Sequence, residues 1–247
     1  MIRGGFSPAV LILIAGALNA QQTPVSVPFV GCQTGGQVSL EEPKASSASV
    51  PTSPGIAAKL TYYGSGDGLG VLAPRGWYCF GTVGSGGDQL FVTSEPIDRG
   101  KYFSSAWPGF RGPVVHVTHR IGDTSGRFSV AEIIMRVFPD FKAFAEGVTK
   151  MFPDEKFVAG PYPGDKLMYK SKTIVEYATP ARTDGLGTYW GLRKSDGAID
   201  GVAILIDHAP PDLLLLSVRL PPDFADAVST IVHQVERDTE RRPKLRY

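Results

Sequence analysis

The chain has 247 residues, with 25 Lys and Arg against 24 Asp and Glu, two cysteines and a hydrophobic fraction of 43%. So even a balance excludes the basic face that a nucleic-acid backbone demands, and it excludes capture by anionic membranes through charge alone. The length is enough for one domain with a substantial buried core.

Residues 1–20 open with Arg3, continue through an apolar run from Ala9 to Ala15 and end in Ala17-Leu18-Asn19-Ala20. A basic start, a short apolar segment and small residues at the break describe a secretory signal peptide, and the run is too short to span a bilayer. Cleavage after Ala20 is expected, with Ala17 as a second position, and no later segment is apolar enough to span. Removal of residues 1–20 takes Arg3 and no other charge, so 24 basic face 24 acidic side chains in the remainder. An exported chain meets an oxidising compartment, periplasmic or extracellular, where Cys32 and Cys79 are expected to form a disulfide. That bond would hold an otherwise irregular N-terminal arm, residues 21–40, against the body. Phe29-Val30-Gly31-Cys32 does not serve as a lipoprotein box, because Gln21-Gln22-Thr23 and two prolines separate Cys32 from the apolar run.

Residues 41–56, reading EEPKASSASVPTSPG through Gly55, carry few large apolar side chains and predict an exposed, flexible linker. Residues 57–240 then read as a single α+β domain, and residues 241–247 as a basic tail. Strands are predicted at Ala57 to Tyr63, Leu69 to Ala73, Trp77 to Val83 and Gln89 to Thr93, joined by glycine-rich turns too short for anything but antiparallel neighbours. Pro74-Arg75-Gly76 forms a corner, with proline presetting φ, glycine free to take a positive φ and Arg75 facing solvent. Neither glycine cluster matches a phosphate-binding loop, since each leads into a strand.

Val114 to His119 reads as a further strand, which puts His116 and His119 on opposite faces and makes them poor co-ligands for one metal. Ser129-Val130-Ala131-Glu132 has the form of a capping box before Ile133, Ile134, Val137 and Phe138 at helical spacing. Pro139 interrupts it ahead of a second apolar stripe, Phe141, Phe144, Ala145, Val148, Met151 and Phe152, whose expected place is against a sheet. Strands follow at Lys166 to Lys170, Thr173 to Thr179, through Tyr189 to Leu192, at Asp200 to Asp207 and at Leu213 to Leu220. The last two are continuously apolar, as strands covered on both faces are. Pro221-Pro222-Asp223 opens a closing helix with Phe224, Val228, Ile231, Val232 and Val235 on one side.

No serine lies in a Gly-x-Ser-x-Gly elbow, and no histidine or cysteine spacing forms a metal signature, so no catalytic, cofactor or metal residue is assigned. His233 and Glu236, one turn apart, read as a surface pair on the closing helix. The strongest candidate for recognition is the Gly/Pro-rich loop carrying Tyr102, Phe103, Trp107, Phe110 and Arg111, because long loops on rigid scaffolds carry function and Trp, Tyr and Arg dominate contact energetics. The same rings could equally pack over the sheet edge.

The segments Val27-Pro28-Phe29-Val30-Gly31-Cys32, Gly70-Val71-Leu72-Ala73-Pro74-Arg75-Gly76-Trp77-Tyr78-Cys79 and Leu214-Leu215-Leu216-Ser217-Val218-Arg219-Leu220-Pro221 resemble those of a family of uncharacterised exported bacterial proteins. The resemblance implies export and brings no activity with it. In element order the chain is also similar to the PsbP-like α/β/α sandwich, a likeness of fold that does not carry function. The expectation is therefore a twisted, mainly antiparallel sheet with packed helices and a disulfide-tied arm. Its leading function is a non-enzymatic binding or envelope-associated protein whose partner is a protein or small ligand. The alternatives are a hydrolase using His116 with a distant acid, and a purely structural envelope component.

Overall fold

A computed structural model describes residues 23–241. The expected signal peptide, and all of the basic tail but Arg241, lie outside them. The chain folds as α+β around two mainly antiparallel sheets. The smaller is built from β1 (Pro24–Cys32), β3 (Ser47–Pro51), β4 (Leu60–Ser65) and β5 (Gly70–Pro74), in the order β3-β1-β4-β5. The larger has eight strands in the order β2-β6-β7-β8-β12-β11-β10-β9. These are β2 (Thr34–Gly36), β6 (Tyr78–Gly84), β7 (Gly87–Thr93), β8 (Val114–Arg120), β9 (Lys166–Tyr169), β10 (Ile174–Thr179), β11 (Ile199–Ile206) and β12 (Asp212–Arg219). Two strand pairings are parallel, β1 with β4 and β2 with β6; the rest are antiparallel.

The Pro74 corner marks the passage between the sheets. The strands on either side of it do not form a hairpin. β5 returns to β4, whereas β6 pairs with β7. Gly76 takes φ +82° and Arg75 is exposed, as the sequence predicts. Tyr63 pins the corner: its hydroxyl donates to the Pro74 carbonyl at 2.9 Å and accepts from the Trp77 N–H at 3.0 Å. Five residues beyond Pro74, Cys79 is disulfide-bonded to Cys32 at the end of β1, so the bond joins one sheet to the other.

Several local expectations change. The arm of residues 21–40 is not irregular, since it supplies β1 and β2. Within the predicted linker, Ser47–Pro51 pairs antiparallel with β1, burying Val50. The strand expected from Ala57 starts as a short helix, α1 (Pro54–Lys59): the Ser53 hydroxyl caps the Ile56 N–H, and Pro54 stands in the first turn, where its missing N–H costs nothing. Ser129 is not a cap, because helix α3 (Arg127–Val137) begins two residues earlier, with Gly126 before it. The predicted strand through Tyr189 is a 3₁₀ turn at Leu186–Thr188 followed by a bend, since Gly191 at φ +79° turns the chain out of extension.

The large sheet is covered on both faces, which makes three layers. One face packs Leu90, Val92, Val115, Val117, Val202, Ile204, Leu214 and Leu216 against the small sheet and α5 (Val228–Arg241). Over β10, β11 and β12 the other face packs Val175, Ala203, Leu205, Leu213 and Leu215 against α3 and α4 (Lys142–Met151). The apolar stripes of those helices explain the arrangement, because each needs a surface to cover.

Candidate functional site

That second face continues beyond the helices onto β6, β7 and β8, where its character changes. Cross-strand register sets Phe80, Phe91 and His116 in one row, and Thr82, Gln89 and Thr118 in the next. Gly84, Gly87 and Arg120 form the third. In the last row two glycines leave Arg120 without a neighbouring side chain on the β7 side. All of these strand residues alternate with the apolar set on the opposite face, as the pleat requires.

The covering of this floor is a loop. Asp98 caps α2 (Arg99–Tyr102), its carboxylate accepting from the Lys101 N–H. From there Tyr102, Phe103, Trp107 and Phe110 form a chain of ring contacts: Tyr102 to Phe103 at 5.0 Å, Tyr102 to Trp107 at 4.8 Å and Trp107 to Phe110 at 5.1 Å. The chain rests on Phe91, 5.0 Å from Phe110 and 5.4 Å from Tyr102. Arg219 secures the far end. It is 3% exposed, and its guanidinium donates to the carbonyls of Phe110, Arg111, Gly112 and Arg193.

Between floor and loop lies a cavity of about 780 Å³ that opens to solvent, bounded by Thr82, Gln89, Phe91, Tyr102, Phe103, Trp107, Arg120, Tyr189, Trp190 and Arg193 together with the glycine-rich β6–β7 turn. Its size suits a small organic molecule. None of its lining residues is acidic, whereas two are arginines.

Arg120 is its most unusual member. Only 7% exposed, it has no hydrogen-bond partner at Nε or Nη2, and its guanidinium stacks 4.0 Å from the centre of the Trp190 ring. Burial pulls its pKa down to about 10, with partial relief from the Tyr102 and Tyr189 oxygens and from Asp88. Asp88 itself belongs to the other face of β7, beside His119 at 3.8 Å. Two more polar atoms on this face are buried without partners, Gln89 Oε1 on the cavity lining and Nε2 of His116, which does not line it. Tyr102 is beside Gln89: burial raises its hydroxyl, and hydrogen bonds with Thr82 and Gln89 oppose the rise.

His116 is stacked on Phe91 at 4.2 Å, and burial, followed by the Arg120 charge, brings its pKa down to about 3. It is therefore a neutral ring whose charged neighbour is a cation, the reverse of what a general base paired with an acid requires. His119 does face the opposite way, as strand alternation predicts. Desolvation lowers its pKa, but hydrogen bonds to Asp212 and Asp88 outweigh that and leave it raised. This buried network, continued by His208 at 3.1 Å from Asp212, ties β7, β8 and β12 together inside the core.

Among the described residues one group brings three metal-ligating atoms within 4.8 Å: Glu176, His233 and Glu236. His233 and Glu236 are thus not a simple surface pair, since His233 Nε2 lies 3.6 Å from Glu176 across to β10. Burial, then the Glu176 charge, pushes Glu236 up to about 7. The Lys170 ammonium, 3.1 Å from Glu176, already supplies a cation there.

Of the residues singled out from sequence, Tyr102, Phe103 and Trp107 line the cavity, and Phe110 packs behind them on Phe91. Arg111 is not among the lining residues; it donates to the Lys194 carbonyl at 3.4 Å. Sequence reasoning misses Arg120, Gln89, Thr82, Tyr189 and Trp190. One signal points toward them: polar His116, Thr118 and Arg120 alternate with apolar Val115 and Val117 in a strand that has neighbours on both sides. Comparison with protein-family models, with curated proteins and with solved structures finds no match to this chain.

Proposed function

We propose that this is an exported, non-enzymatic binding protein that holds a small organic ligand in the cleft between β6–β8 and the aromatic loop. One observation carries the reading: a cavity of ligand size is lined by buried polar atoms that lack partners, Arg120 Nε and Nη2 and Gln89 Oε1, where protein interiors leave few. Three other observations support it. The walls are Trp, Tyr and Phe, side chains that contribute large contact area at low entropic cost. The loop that carries them is fixed by Arg219, so the cleft is formed before a ligand arrives. The Cys32–Cys79 bond suits an oxidising compartment, periplasmic or extracellular, and no helix among the described residues is long and apolar enough to cross a membrane.

Saturation-transfer NMR on the purified oxidised protein, against a library of amino acids, sugars, aromatic acids and their amides, tests the reading. Hits are expected whose signal disappears in Trp107→Ala while the fold is kept. If no compound binds, or if every hit is indifferent to Trp107→Ala, the cleft is not a ligand site.

A further inference from the structure

Resting on the reading above, we infer that the ligand is a planar aromatic carboxylate, its anionic group neutralising Arg120 and its ring held among Trp107, Tyr102 and Trp190. A cation removed from water is tolerated when it is paired, and Arg120 is buried with two donors unused. The groups facing it offer no ion pair: Trp190 supplies a ring face, Tyr102 and Tyr189 are phenols, and Arg193 adds a second positive charge at the rim. Asp88, whose charge does act on Arg120, belongs to the reverse face of the sheet and to the His119 network.

The unused atoms Nε and Nη2 share one edge of the guanidinium fork, the edge that grips a carboxylate through two parallel N–H···O bonds. The face of the guanidinium is stacked on the Trp190 indole, and both residues line the cleft. Six of the lining side chains are aromatic, and the unpartnered fork of Arg120 lies among them, an arrangement that suits a flat ring bearing an anionic group.

The contrast with Arg219 shows that an unused fork is not a general habit of this fold. Arg219 lies on the same face of the sheet, is buried as deeply and donates to four carbonyls, leaving only its Nε without a partner. Its role is structural, and the structure leaves Arg120 without the equivalent.

The test is a titration of intrinsic Trp fluorescence, backed by calorimetry, with 2-naphthoate, 2-naphthamide, 2-naphthylmethylammonium, acetate and inorganic phosphate. Wild type, Arg120→Met and Arg120→Lys are compared. Naphthoate is expected to bind about 10- to 100-fold more tightly than the isosteric amide, the range of a charge-assisted pair, and to lose that advantage in Arg120→Met. Arg120→Lys should recover only part of it, because an ammonium lacks the fork. Arg120→Met should melt no lower than wild type, since it removes an unpaired buried charge, and this separates a ligand anchor from a structural arginine. Equal binding of naphthoate and amide in wild type overturns the carboxylate assignment and leaves the cleft reading standing. Binding of acetate or phosphate as tight as naphthoate overturns the aromatic part. A lower melting temperature for Arg120→Met with naphthoate affinity intact overturns the role given to Arg120. Failure of all five probes, in a protein whose library hits still depend on Trp107, overturns the ligand class alone.

Discussion

Two halves of one sheet face are built to different rules. Over β10–β12 the floor beneath the helices is Val175, Ala203, Leu205, Leu213 and Leu215, and the Tyr177 hydroxyl beside them is satisfied by the Leu216 carbonyl at 2.8 Å and Ser217 Oγ at 2.7 Å. Two amphipathic helices cover it. Over β6–β8 the floor carries Thr82, Gln89, His116, Thr118 and Arg120, and a loop of rings arches above a cavity. An apolar floor recruits a helix face, because burying it is favourable in itself. A polar floor gains nothing from such a cover and is left for something that brings complementary groups. The difference between the halves therefore separates the part of the protein that sustains the fold from the part available for recognition.

Substitutions should obey that division. The largest effect is expected in the helix-covered half, where Ile134→Ala on α3 removes a fully buried side chain and should cost about 3–4 kcal/mol by urea denaturation, with little change in the slope. An equal cost for Trp107→Ala would erase the distinction. Next, Arg219→Met abandons four carbonyls beneath the loop and should cost about 2–3 kcal/mol, whereas the same change at Arg120 should cost nothing. Thermal melts of the two variants side by side decide the matter.

His116→Phe sharpens the comparison through pH. The folded pKa of His116, about 3, is below its unfolded value near 6.5, so acidification protonates the unfolded chain first and destabilises the wild type on this account. The difference in stability between variant and wild type should then move in favour of His116→Phe by about 1 kcal/mol per pH unit between pH 6.5 and 4, followed by denaturant titrations at each pH. His119 adds no slope there, because a raised pKa gives stability that is complete below 6.5 and lost only as pH rises through the folded value. The smallest effect belongs to Glu236→Gln, on the sheet's reverse side. Its folded pKa of about 7 exceeds the unfolded one, so the penalty of charging it is full above pH 7 and absent below about 4.5. The variant should gain about 1 kcal/mol at pH 8, after allowance for its partial exposure, and nothing at about pH 4.5.

The parts of this architecture that were legible in the sequence are those whose pattern is local. The stripes of α3, α4 and α5 follow from apolar spacing alone, as do the apolar runs of β11 and β12. Pro74-Arg75-Gly76 announces its turn, and a pair of cysteines in a chain with an export-like start announces the disulfide. What was not legible depends on distant partners. Ser47–Pro51 has a single large apolar residue and becomes a strand only because β1 offers an edge. Ala57–Lys59 fits strand and helix equally until Ser53 caps it. The recognition loop announced itself through Tyr102 and Trp107, but Arg120 falls one residue past the strand predicted from Val114 to His119 and carries no local signal of burial. Its burial depends on Trp190, seventy positions later, reached through a bend that the sequence presents as a strand.

The bond between Cys32 and Cys79 encloses β2, β3, α1, β4 and β5 in one covalent ring. A protease that nicks the chain anywhere inside that ring cannot release a fragment. The two pieces run as a single species on a gel until a thiol is added, and only then does the N-terminal portion, carrying β1, come away from the portion that contains the cleft.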